Sequence, residues 1–206
     1  MPRGRAAEMT ARRVVVGLGS PDRGDDAVGP VAAQLVAGLA LPGVLVLAYE
    51  DPTGLLEVWR GMELAVVIDA VRSGAPPGSL AVVEVGGGLK PLSDHAWART
   101  GRAGTRASGL AAAVELGRAL HSLPQRLVLV GVEAVQLEDG EPLSDPVAAA
   151  LDAVISTAVG IMTGHGDGHA GALSGGHGHG HAGAFSGGDG VGQVHDHLAA
   201  VADAVV

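Results

Sequence analysis

The chain has 206 residues, a net charge of −9 at pH 7, no Cys and only 2% aromatic residues. The absence of Cys excludes disulfides, thiolate metal sites and cysteine nucleophiles, and it fits a cytoplasmic setting. The scarcity of aromatic side chains and the negative charge argue against a nucleic-acid partner. No run of 18 apolar residues occurs, so no membrane span is predicted.

The charge is unevenly distributed along the chain. All 13 Lys and Arg lie in residues 1–126, whereas residues 127–206 contain ten of the 22 acidic residues. The net acidity therefore belongs to the C-terminal part of a chain whose length suits one domain with an appendage.

The hydropathy pattern predicts nine elements in the order β-α-β-α-β-β-α-β-α. Short apolar runs predict strands over residues 14–17, 44–49, 64–70, 80–85 and 127–132. Helical spacing and capping residues predict helices over 26–39, 53–60 (with Thr53 as N-cap), 109–121 and 145–162. We expect an α/β three-layer sandwich, with a mostly parallel five-stranded sheet and helices on both faces.

The composition also predicts where the packed domain ends. We expect a flexible N-terminus over residues 1–12, an α/β domain over 13–162 and a Gly/His-rich low-complexity tail over 163–206. The tail is predicted to be disordered, because Gly, Ser and His bury too little apolar surface to fold alone.

Acidic residues follow three of the predicted strands. Asp25 and Asp26 come after the first strand, Asp69 ends the third, and Glu133 follows the fifth. Ligands bind at the carboxyl ends of strands in open α/β sheets, which makes these residues candidates for a site. The alternatives are helix capping, above all for Asp25, a solvated turn for Asp69, and a structural contact for Glu133.

The loop after the first strand begins like a dinucleotide-binding fingerprint. Asp22 stands where that motif requires Gly, and acids at the start of the helix would repel a pyrophosphate. A phosphate-binding loop is excluded because no Gly-Lys-Ser/Thr follows.

The same loop resembles the N-terminal signature of the nickel–iron hydrogenase maturation endopeptidases. It reads Gly-Leu-Gly-Ser-Pro-Asp-Arg-Gly-Asp-Asp-Ala-Val-Gly-Pro over residues 17–30. Further segments resemble the family in the same order: Val67-Ile68-Asp69-Ala70, the helix over 109–120, Gly131-Val132-Glu133, and Leu143-Ser144 before the last helix. The resemblance covers about residues 13–162.

The resemblance implies an endopeptidase of the aspartic or metal-dependent type. Such enzymes remove the C-terminal extension of the hydrogenase large subunit after nickel insertion, and recognise nickel that the substrate carries. By motif, the two carboxylates that hold this nickel are Asp26 and Asp69. The implied partner is the large-subunit precursor.

The sequence departs from the family at the third nickel ligand. The family's His lies three residues before the Gly-Leu of the long helix, where this chain has Arg106, which cannot ligate a metal. In one interpretation His95 supplies the ligand from the preceding loop. In the other, Arg106 occupies the cation's place, and the chain is a catalytically lapsed relative that binds a metal or a partner.

The tail is a second candidate metal site. Seven of the nine His lie within residues 165–197, including the alternating His177, His179 and His181. Imidazoles spaced by Gly can surround one nickel, copper or zinc ion, so we expect a further divalent metal on the tail. The alternative is a solvated segment without a metal.

Metal titration separates these hypotheses. We expect the full chain to bind more Ni²⁺ per molecule than a 1–163 truncation, as measured by calorimetry. Binding that remains in the truncation should be lost in Asp26→Ala and Asp69→Ala. If it persists in His95→Ala, His95 is not the third ligand.

Overall fold

The computed structural model describes residues 12–85 and 104–164, of which 104–108 by their backbone alone. The strands within these residues are β1 (Arg13–Leu18), β2 (Val44–Tyr49), β3 (Leu64–Val71), β4 (Leu80–Val85) and β5 (Arg126–Glu133). The α-helices are α1 (Val28–Gly38), α2 (Leu55–Trp59), α3 (Gly104–Ala119) and α4 (Asp145–Thr163). Short 3₁₀ helices, Gly24–Ala27 and Pro52–Gly54, precede α1 and α2. The predicted order of elements is confirmed.

The strands form one sheet in the order β2-β1-β3-β5-β4. Neighbouring strands are parallel from β2 to β5, and β4 pairs antiparallel with β5 at the edge. The chain leaves β1 toward β2 on one side and later returns to β3 on the other. The boundary between β1 and β3 is therefore the topological switch point, where ligands bind in such sheets.

Helices cover both faces of the sheet, as predicted. On one face, α1 packs against β1, β2 and β3, and α4 packs against β3, β5 and α1. On the other face, α2 and α3 enclose an apolar core with alternate residues of the central strands. The buried members of this core include Val14, Val16, Leu18, Leu55, Trp59, Val67, Leu110, Val114, Leu127 and Leu129.

Helix α1 lies unusually close to the ends of β1 and β3, because glycines occupy both sides of the contact. A side chain on Gly17 would collide with the carbonyl group of Gly29. A side chain on Gly29 would in turn collide with the backbone of Leu18 and with the Ile68 carbonyl oxygen. The N-terminus of α1 is thus seated directly on the carboxyl ends of the two central strands.

The starts of three helical segments differ from the sequence-based expectations, and the other boundaries agree to within two residues. Helix α3 begins at Gly104 rather than at residue 109, because its first turn has no apolar stripe that would reveal it. The residue that caps the helical segment after β2 is Asp51, whose carboxylate accepts a hydrogen bond from the Thr53 N–H (2.8 Å); Thr53 as cap was wrong. The first turn of the predicted helix over 26–39 is 3₁₀.

One helix in the described part of the chain, α4, is long and apolar enough to cross a membrane, with a mean hydropathy of 1.6. In the fold it is an outer-layer helix. It buries Val154, Ile155, Ala158 and Met162, and the Met162 carbonyl accepts a hydrogen bond from the Arg13 guanidinium (2.6 Å). Its apolar side therefore faces the sheet.

The close contact at Gly29 predicts that Gly→Ala substitutions in α1 and in α4 have opposite effects on the free energy of unfolding. Gly29→Ala should destabilise the protein by about 2 kcal/mol, because its Cβ overlaps backbone atoms that cannot move freely. Gly160→Ala, in the interior of α4 with no atom within 4 Å of the new Cβ, should stabilise it by about 0.5–1 kcal/mol. Urea denaturation measures both. Equal effects would show that the contact at Gly29 is not close.

Candidate functional site

Asp26 lies in the 3₁₀ helix that connects β1 to α1, and its side chain is buried. The Ser20 backbone N–H donates a hydrogen bond to Asp26 Oδ2 (2.9 Å), which fixes the carboxylate against the loop after β1. Gly19, with φ of 139°, has its backbone against the Asp26 carbonyl, where a Cβ would not fit. This loop therefore holds Asp26 at the carboxyl end of β1.

Asp69 lies on β3, one residue beyond the part of that strand that pairs with β1. It is buried, and its partner on β5 is Gly131, which has no side chain. By strand alternation, Asp69 projects from the same sheet face as Val67 and Val71, the face that α2 and α3 cover. The carboxylate thus emerges from the sheet edge at the switch point.

The structure brings these two carboxylates to the same edge. The 3₁₀ helix that carries Asp26 packs against β3, and α1 sits on the carbonyl of Ile68, the residue before Asp69. Buried carboxylates are retained where hydrogen-bond donors or a cation stabilise their charge. Asp26 and Asp69 are therefore the described residues at the switch point that could ligate a divalent ion.

Asp25, the neighbour of Asp26, has a different environment. It is fully buried, its Oδ2 accepts hydrogen bonds from the Val135 and Gln136 N–H groups (both 2.9 Å), and its Oδ1 accepts one from the Ser144 N–H (2.7 Å). The sequence-based interpretation of Asp25 as a cap of α1 was therefore wrong. Asp25 instead joins the loop after β1 to the segment that leads into α4.

The hydrogen bonds of Asp25 also determine its ionisation. Burial acts to raise the pKa of the Asp25 carboxyl, but the backbone N–H donors of Ser144, Gln136 and Val135 outweigh it, and the pKa is lowered from 3.8. The charged form is the one that the fold stabilises.

Glu133 also has a structural environment, in agreement with the alternative raised for it. Its carboxylate accepts hydrogen bonds from the Ser73 N–H (2.9 Å), the Ser73 hydroxyl (2.6 Å) and the Gly74 N–H (2.8 Å). These bonds fasten the turn after β3 to the end of β5. Glu133 therefore has a structural role, because it holds the turn that follows Asp69 and the end of β3.

Several candidate residues from the sequence lie outside the described residues. These are His95 and the tail residues His177, His179 and His181; Arg106 lies in the first turn of α3, described by backbone alone. Among the side chains of residues 12–85 and 109–164, no group of three or more His, Asp or Glu is arranged to hold a metal ion. The described part of the site therefore consists of Asp26 and Asp69.

No protein-family model matches the sequence, and no curated protein matches it. Solved structures do match the fold. The hydrogenase maturating endopeptidase HybD from E. coli aligns with a TM-score of 0.59 and 23% identity, over 74% of this chain and 94% of that chain.

Two further structures agree. An endopeptidase from Escherichia coli, solved in solution, gives a TM-score of 0.61 at 23% identity, over 74% of this chain and 94% of its own. The [NiFe] hydrogenase maturation protease HybD from Thermococcus kodakarensis gives a TM-score of 0.52 at 22% identity, over 76% of this chain and 99% of that chain. The chain thus has the fold of the hydrogenase maturation endopeptidases, as the sequence motifs indicate.

The contacts of Asp25 predict an acid-sensitive contribution to stability. Because its pKa is lowered by folding, its contribution is complete above the unfolded value of 3.8 and is lost as the pH falls through the lower folded value. Asp25→Ala should cost about 3 kcal/mol at pH 7, since three backbone N–H groups lose a charged acceptor. Its unfolding free energy, measured by urea denaturation, should also depend less on pH between about pH 2 and 5.

The matched control is Asp152→Asn, at an exposed position of α4. It should retain the pH dependence of the unsubstituted protein. If Asp25→Ala follows the same curve as this control, the hydrogen bonds of Asp25 do not stabilise the fold.

Proposed function

We propose that this chain is an endopeptidase that removes the C-terminal extension of a nickel–iron hydrogenase large subunit after nickel insertion. The observation that carries the proposal is the placement of Asp26 and Asp69, buried at the switch point of a fold shared with hydrogenase maturation endopeptidases. The partner is the large-subunit precursor, the nickel belongs to that substrate, and the reaction takes place in the cytoplasm.

Asp26 and Asp69 bind the nickel that the precursor carries. The two carboxylates supply oxygen ligands and negative charge to the divalent ion, and the burial of both strengthens their attraction for it, because water screens the charges less. The bound metal centre then places the peptide bond of the extension beside these residues. Hydrolysis breaks the C–N bond, adds the oxygen of water to the carbonyl carbon and leaves a proton on the new amine.

The third contact to the substrate has two candidates. His95 would supply a neutral imidazole, which is a good nickel ligand. Arg106 would instead place a fixed positive charge beside the two carboxylates and compete with the metal. The second alternative favours another function, in which the chain is a catalytically lapsed relative that binds a metal or a partner.

The His-rich tail is proposed as an additional metal site. Its imidazoles can bind a divalent ion independently of the domain, since seven His are concentrated within residues 165–197. Nickel is the favoured ion, because the proposed substrate carries nickel.

The proposal is tested with the full chain and a nickel-loaded [NiFe] hydrogenase large-subunit precursor from the same organism. We expect the precursor to shorten, as measured by intact mass. Asp26→Asn and Asp69→Asn should each slow this cleavage by about 100-fold or more, because each removes charge from the substrate-binding site.

Asp22→Asn serves as the matched control, since Asp22 lies in the same loop but is exposed. It should cleave at the rate of the unsubstituted chain. A precursor that stays intact with the correct partner would overturn the peptidase assignment and favour the binding protein. Normal cleavage by Asp26→Asn would show that the carboxylates are not the site.

A further inference from the structure

A cavity of about 370 Å³ opens beside the carboxyl end of β2, between the 3₁₀ helix Pro52–Gly54 and α3. We call it the acidic-rimmed pocket. Its floor is apolar and includes Leu56, Ala112 and Leu116, whereas Glu50 and Asp51 stand at its rim. Neither Asp26 nor Asp69 lines it.

The pocket lies next to the candidate site on the same edge of the sheet. The Gly19 N–H donates a hydrogen bond to the carbonyl of Tyr49 (3.0 Å), the residue before Glu50. The next residue, Ser20, donates its N–H to Asp26. Consecutive residues of one loop thus contact both the pocket's strand and the site carboxylate, and the pocket opens on the sheet face from which Asp69 projects.

The apolar floor continues along α3 beyond the pocket. Ala112, Leu116 and Leu120 recur every four residues, so they share one side of the helix. Leu116 is 48% exposed, and Leu120, directly after the last residue of α3, is 60% exposed. This strip is long enough for more than one apolar side chain of an extended peptide.

The charges that line the pocket are acidic. They are the carboxylates of Glu50 and Asp51. Glu50 is exposed and makes no ion pair within the described residues. An occupant that complements the pocket therefore combines an apolar side chain with a Lys or Arg close by. A second copy of this chain is a poor candidate, because its net charge of −9 would be repelled.

We propose that the acidic-rimmed pocket is a substrate subsite, which binds the polypeptide of the precursor beside the peptide bond to be cut. It takes an apolar side chain on the floor and a basic side chain at Glu50. This inference rests on the proposed function, because it assigns the pocket to the same substrate. The subsite positions the extension, whereas Asp26 and Asp69 bind the metal centre.

The first test fills the pocket. Ala112 is exposed on α3, so Ala112→Trp should occupy the floor without disturbing the core. We expect KM for precursor cleavage to rise by about 10-fold or more, while kcat changes little, since even one methylene group in a hydrophobic pocket is worth about 10–200-fold. Ala153→Trp makes the same substitution at an exposed position of α4 that does not line the pocket; it is the control and should leave KM unchanged.

The second test reverses the charge at the rim. Glu50→Lys should raise KM by about 5–10-fold at low salt, and the effect should shrink at 1 M salt because exposed charges are screened. Glu57→Lys makes the same charge change at an exposed position of α2 that does not line the pocket. It should behave like the unsubstituted chain.

The outcomes separate this inference from the proposed function. If the unsubstituted chain cleaves the precursor and both pocket variants match their controls, the subsite is wrong and the peptidase assignment stands. If it does not cleave, a labelled peptide spanning the precursor's cleavage region is titrated by fluorescence anisotropy. Binding weakened by Ala112→Trp, but not by Ala153→Trp, then supports the pocket and overturns the peptidase. No binding, or binding indifferent to Ala112→Trp, overturns both.

Discussion

The close contact between α1 and the ends of β1 and β3 is the constraint on which the site depends. It requires Gly17 on the strand and Gly29 on the helix, since a Cβ on either would overlap backbone atoms. Because α1 can approach so closely, the 3₁₀ helix before it is held over the end of β3. This is how a residue after β1 and a residue on β3 reach the same edge of the sheet.

Four buried carboxylates lie around this edge, and hydrogen bonds show the structural role of two of them. Asp25 and Glu133 each accept several hydrogen bonds from backbone N–H groups, and each joins segments that are far apart in sequence. Their donors balance the cost of burying the charge. Asp25 and Glu133 therefore make the framework rigid, and in the proposed reaction Asp26 and Asp69 are the pair that faces the substrate's cation.

The sequence predicts the strands well, because each is a continuous run of mostly apolar residues. The strands over 44–49 and 80–85 have the predicted limits, and the element order is as expected. The start of α3 was missed, since residues 104–108 contain no apolar periodicity from which a helix could be predicted. The local hydropathy pattern therefore predicts which elements form the layers of this fold better than it predicts where the helices begin.

The site could be predicted only in part, for a similar reason. Strand-end position and the family resemblance singled out Asp26 and Asp69, but nothing local distinguishes Asp25 from Asp26. Their difference comes from Val135, Gln136 and Ser144, which are more than 100 residues away along the chain. The pocket was missed because its floor and rim come from two separate segments, and the stripe on α3 looks like an ordinary core-facing pattern.

The arrangement of charge suggests why metal binding and peptide binding would be separate in the proposed reaction. A carboxylate pair in a buried site gains much from a divalent cation, whereas exposed carboxylates at a rim gain little from a basic side chain and lose even that in salt. The buried pair can therefore discriminate between a precursor that carries its metal and one that does not. The acidic-rimmed pocket binds the peptide weakly, so it can align the extension of a metal-loaded precursor. It does not bind a metal-free precursor strongly enough for cleavage to follow.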